Sequence, residues 1–78
     1  MNKERRKRLE KVIEQLEELQ SEVQAIAEEE REAYDNLDNI GQGETDRANQ
    51  IYENADTLEG LDSDFESIKD SINEVIEA

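Results

Sequence analysis

The sequence predicts an all-α fold: one antiparallel two-helix coiled-coil hairpin covering residues 1–78 as a single domain. Three observations carry that expectation. Proline is absent and glycine occurs only at 41, 43 and 60, so little interrupts a helix. Apolar residues recur at alternating spacings of three and four on both sides of Gly41-Gln42-Gly43, the pattern that turns one stripe of a helix toward a partner. When the chain is folded back at Gln42, the two halves come into matching phase.

The first element is a helix over about residues 3–38. Leu9, Val12, Leu16, Leu19, Val23, Ile26, Ala33, Leu37 and Ile40 occupy alternating a and d positions, with one hole at Glu30. A turn at 39–44 follows, carried by the two glycines. The second helix, about 45–77, resumes the stripe at Ile51, Leu58, Leu61, Phe65, Ile68, Ile72 and Val75, with its own hole at Asn54. Strong helix formers fill both, and at about 1.5 Å per residue each runs near 50 Å.

Facing residues in an antiparallel pair lie equally far from the turn. Centring on Gln42 sets Leu16 against Ile68, Leu19 against Phe65 and Ile26 against Leu58. The same folding sets hole against hole, Glu30 to Asn54. A carboxylate facing an amide there sets register at some cost in stability. Gly60 leaves a second reading open, because Ser63-Asp-Phe-Glu66 has capping-box spacing and the helix could stop and restart. The heptad phase runs unbroken through Gly60, which favours a continuous helix.

Apolar residues also sit beside the stripe at e positions: Ile13, Ala27, Tyr34, Ala48, Ala55 and Ile76. They widen it toward the three-in-seven face of a bundle. They are expected to form an outward strip for a second hairpin, giving a homodimeric four-helix bundle, or for a partner helix. A chain this short without Cys or His lacks the usual staples, which strengthens the case for a partner.

Charge is the other conspicuous property. Charged residues make up 41% of the chain and the net charge is −14, against about 25% charged residues in ordinary domains. Residues 1–11 hold six bases and two acids, whereas the remainder holds 21 acids and three bases. The basic start is expected to pair locally with Asp70, Glu74 and Glu77. The body repels nucleic acid and anionic membrane and attracts basic protein surfaces. No direct nucleic-acid binding and no membrane association are therefore expected. With no apolar span or signal-peptide core, the expected location is the cytoplasm.

No catalytic set is present: no histidine, no cysteine, no phosphate-cradling glycine loop. The acidic turn Asn36–Arg47 misses the EF-hand pattern at Ile40 and Arg47, where ligands belong. The expectation is a non-enzymatic protein without metal or cofactor. Carboxylates recurring along the helices (Glu14, Glu18, Glu22, Asp62, Glu66, Asp70 and Glu74) would form rows on a stiff rod. Such rows can imitate nucleic-acid phosphates and occupy the groove of a basic protein.

The stretches MNKERRKRLEKVIEQLEEL, EEEREAYDNL, TLEGL and SINEVIEA resemble a group of small acidic helical proteins encoded by bacteriophages and integrated mobile elements. Members of that group carry Pro-Glu after the Tyr-Asp-Asn-x stretch, where this chain has Asp38-Asn39, so the turn is not transferred. The group has no established activity, and no functional residue is carried over. The resemblance implies a context: an accessory protein of a phage or mobile element, where blocking a host nucleic-acid-binding enzyme is a common task. The alternative is a structural or assembly module that works through its apolar strip.

Overall fold

The computed structural model describes residues 1–78 and consists of two helices, α1 (Lys3–Asn39) and α2 (Asp46–Glu77), with no strand. They pack antiparallel along their length as a rod of 58 × 15 × 13 Å. Each start is capped in the way its sequence allows. The Asn2 side chain accepts from the Arg5 N–H at 2.8 Å, and the Thr45 hydroxyl accepts from the Ala48 N–H at 3.2 Å. Both satisfy a donor that the first turn leaves without a helical partner.

The reversal falls where the glycines place it. Gly41 has φ +79°, and two main-chain bonds close the end of α1: Gly41 N–H to Asp38 C=O at 3.0 Å and Gln42 N–H to Leu37 C=O at 2.8 Å. This paired arrangement needs a left-handed residue after the helix, which glycine adopts without a Cβ penalty. Gly43 matters for space instead. It is buried, and a larger residue there would oblige the Asp38 side chain to shift.

Gly60 does not break α2. The helix runs through it, and the Ser63 hydroxyl donates back to the Gly60 carbonyl at 3.1 Å instead of capping a new helix. A Cβ on Gly60 would meet nothing within 4 Å. Gly60→Ala is therefore expected to stabilise the protein by about 1 kcal/mol, since it removes backbone entropy from the unfolded chain at no steric cost. A melting point raised by roughly 4–8 °C in a thermal scan would bear this out.

The seam departs from the a/d expectation. The a positions are half-buried as expected: Leu9, Leu16, Val23 and Leu37 on α1, and Ile51, Leu58, Phe65 and Ile72 on α2. The d positions are mostly outside, with Val12, Leu19, Ile26, Ile68 and Val75 all exposed and Leu19 at 53%. The deepest residues are e positions: Ala27 at 2%, and Ala48 and Ala55 at 0%. Ile13, Tyr34 and Ile76, the other members of the expected outward strip, are half-buried as well.

The six-residue e strip thus lies between the two helices of the hairpin and is not free for a partner. The seam is a/e. Relative to a/d packing, each helix has turned by about 50°, half of the 100° between successive residues. Alanine explains the turn: three small side chains along the e stripe let the helices approach more closely than Val or Leu at d would.

Candidate functional site

Rotation of the seam gives the rod two unlike long faces. Because the helices are antiparallel, the d positions of both flank the seam on one side and the b positions of both flank it on the other. The b side is polar and cross-linked. The buried Gln20 amide donates to Asp62 at 2.6 Å and to Glu66 at 3.1 Å, and the Gln24 amide also donates to Asp62. Lys69 pairs with Glu66 at 3.0 Å. Nearer the turn, Arg31 reaches Asp56 at 3.2 Å and Glu59 at 3.0 Å. Its guanidinium lies 4.8 Å from the centroid of the Tyr52 ring, which meets Tyr34 edge-on at 5.1 Å.

These contacts perturb the titrating groups in directions that follow from their partners. The amides of Gln20 and then Gln24 hold Asp62 below the ordinary carboxylate range. Gln20, and next Lys69, do the same for Glu66. Glu66 raises Lys69, and Glu59 raises Arg31. A carboxylate depressed in the folded state contributes stability above its unfolded pKa and loses it as pH falls through the folded value. For Asp62 and Glu66 the contribution is complete above the unfolded values of 3.8 and 4.5, and it is lost below them. Gln20→Met removes the shared donor. The melting-temperature gap between wild type and this variant should be wide near about pH 6 and narrow near about pH 2.5; an unchanged gap would refute the assignment.

The d side is apolar and open. Met1, Leu9 and Val12 line a groove at the open end of the rod, rimmed by Arg5, Arg8 and Lys11. Further along the same face, Ile26 and Leu58 flank a shallow hollow that also holds Glu30 and Asn54. The expected polar layer is thus present, with the Asn54 amide donating to Glu30 at 3.5 Å, the long limit of a hydrogen bond. It interrupts the apolar face and does not lie deep in the seam.

The seven acids assigned to a working surface divide into two sets. Glu14, Glu18, Glu22, Asp70 and Glu74 are exposed and make no ion pair. Asp62 and Glu66 are taken up by the polar cross-links, Asp62 being half-buried, so they are not part of a free row. The expected pairing of the basic start with Asp70, Glu74 and Glu77 does not form. The one cross-helix hydrogen bond there is Arg6 donating to the Ala78 main-chain oxygen at 3.3 Å. Flexible, exposed side chains gain too little from such pairs to hold them in one geometry.

Gln20, Gln24, Arg31 and Tyr52 were not legible as structural residues, since a/d phase puts them outside the seam. The available signal was alanine at e, once on α1 (Ala27) and twice on α2 (Ala48 and Ala55), which pointed to e as the contact line. No group of acids is arranged to hold a metal ion, and no helix is long and apolar enough to cross a membrane. No family model, curated protein or solved structure matches this chain.

Proposed function

We propose that this chain is a non-enzymatic accessory protein of a phage or mobile element. Its acidic rod binds and inhibits a basic, nucleic-acid-binding host protein in the cytoplasm by imitating the charge of a nucleic acid. One observation carries the reading. Of 23 acids, only Asp56, Glu59 and Glu66 find an ionic partner within the chain. Glu14, Glu18, Glu22, Asp70 and Glu74 stand exposed on a support whose length is fixed by two continuous helices. Helical faces that are only solvated usually mix Lys with Glu to gain i,i+4 pairs; here the compensating bases are missing. Like charges held together this way cost stability, which a cationic partner would return on binding.

The test is a salt-titrated pull-down from host lysate, followed by competition between the captured protein's nucleic acid and this chain. Capture should collapse between about 50 and 200 mM salt, as it does when several phosphate-like contacts are replaced. Glu14→Gln/Glu18→Gln/Glu22→Gln should weaken it. Capture indifferent to salt would exclude the reading. A second reading, a structural or assembly module, is favoured by the exposed apolar line Val12, Leu19, Ile26, Ile68 and Val75. Binding through that face would survive salt and fail on Ile26→Glu.

A further inference from the structure

We infer that the d face is covered by a second copy of this chain, laid head to tail. The turn of each hairpin then sits over the open end of the other in an antiparallel four-helix bundle. The inference rests on the apolar-face reading and is independent of the acidic one.

Burial is the first argument. In a four-helix bundle each helix contacts two neighbours and so needs two apolar flanks. In this hairpin the a/e stripe already serves one neighbour, with Ala27, Ala48 and Ala55 enclosed. Val12, Leu19, Ile26, Ile68 and Val75 form the second flank, and nothing in the chain covers them. Apolar residues on the same side of two antiparallel helices make one strip, interrupted at Glu30 and Asn54, and not scattered surface residues. The only apolar side chains the hairpin alone encloses are three alanines, too little core for a chain of this size. A face of 58 by 15 Å supplies on the order of the ~800 Å² per partner that a standard interface buries.

Charge selects both the occupant and its direction. Arg5, Arg8 and Lys11 rim the apolar groove at the open end without an acidic partner in their own chain. The turn end is the opposite, with ten acids against Arg31 and Arg47 between residues 28 and 56. Among them Glu30 lies on the d face itself, and heptad phase puts Glu29 and Glu53 at its edges. Even with Asp70, Glu74 and Glu77 counted, the open end is not negative, since residues 1–11 carry six bases and two acids. Head-to-tail stacking brings each basic rim onto the other copy's acidic turn. Parallel stacking would set basic rim on basic rim and Glu30 near its own symmetry mate, which costs free energy at close range. The antiparallel arrangement is a closed two-fold dimer, so association stops at two.

Sedimentation equilibrium and pulsed dipolar spectroscopy test this together. The chain has no cysteine, so Gln42→Cys, at the exposed tip of the turn, carries a single spin label. The expected mass is twice 9.0 kDa, and the expected label separation is close to the 58 Å rod length. A separation of roughly 10–30 Å would mean parallel hairpins and overturn the proposal. So would a mass of one chain with no dipolar signal, an outcome that leaves a foreign helix as the occupant of the apolar face. Arg5→Glu/Arg8→Glu/Lys11→Glu should weaken dimerisation by about tenfold or more at 50 mM salt. That deficit should shrink near 1 M, where screening acts within about 3 Å. A deficit independent of salt would count against the charge-set direction.

Discussion

Replacing Ala55 with glutamate is expected to unfold the protein at room temperature, seen as loss of the helical circular-dichroism signal. Ala55 has no solvent exposure and lies on the e stripe buried between the helices. Arg31, which reaches the flanking residues Tyr52, Asp56 and Glu59, is already held by those two carboxylates, so a buried carboxylate at 55 would gain no base of its own. An uncompensated buried charge costs about 3–5 kcal/mol. A core of this size rarely supplies more than about 3–5 kcal/mol in total, so the substitution cancels the margin. Asn49→Glu, six residues away but exposed and at an outward f position, adds the same charge and should change stability by less than about 0.5 kcal/mol. Had the e strip been a free outer surface, the two variants would behave alike. A folded Ala55→Glu hairpin would restore the a/d seam.

Tyr52→Ala carries the second large expected effect. Tyr52 is 44% exposed and would pass for an ordinary surface residue, yet its ring serves two partners from the opposite helix. The edge-on contact with Tyr34 at 5.1 Å and 66° is of a kind worth about 0.5–1.5 kcal/mol beyond simple burial. The ring also offers its face to Arg31, which is at the same time held by Asp56 and Glu59. Losing the ring frees Arg31 on one side, and the two exposed ion pairs left behind are weak restraints by themselves. A fall in melting temperature of at least about 4 °C is expected. Arg31→Met should couple to it: the double variant should lose less than the two single variants together, because they share a partner. Strict additivity would show that the ring and the guanidinium do not act together.

Both predictions concern residues that heptad phase by itself misplaces, which shows where local pattern stops being informative. The register was readable because it depends on chain length and turn chemistry. Gly41 and Gly43 mark the reversal, and Glu30 and Asn54 lie equally far from Gln42 and do meet. The helix ends lie within one residue of the expected 3–38 and 45–77, whereas the caps Asn2 and Thr45 that fix their starts emerge from the structure. Gly60 was readable only through its neighbours: an unbroken stripe outweighed a weak helix former, because tertiary packing overrides roughly 1 kcal/mol of propensity.

The candidate sites were less legible. An apolar stripe of a, d and e residues shows which third of a helix is sticky, but not which two of the three lines face the nearest neighbour. Asp62 and Glu66 were counted with the free acids because their spacing matches Asp70 and Glu74. Their involvement with Gln20, Gln24 and Lys69 depends on side chains from both helices at one height of the rod.

The sequence by itself determined that there are two helices, where they begin and end, that they reverse at Gly41–Gly43, and how they are aligned end to end. Those properties follow from glycine conformation and spacing along one chain. Only the tertiary structure decided the rotation of each helix about its own axis. That rotation put Ala27, Ala48 and Ala55 inside and left Val12, Leu19, Ile26, Ile68 and Val75 outside. Rotation depends on how closely two backbones can approach, a balance of side-chain volumes across the gap that neither helix contains alone.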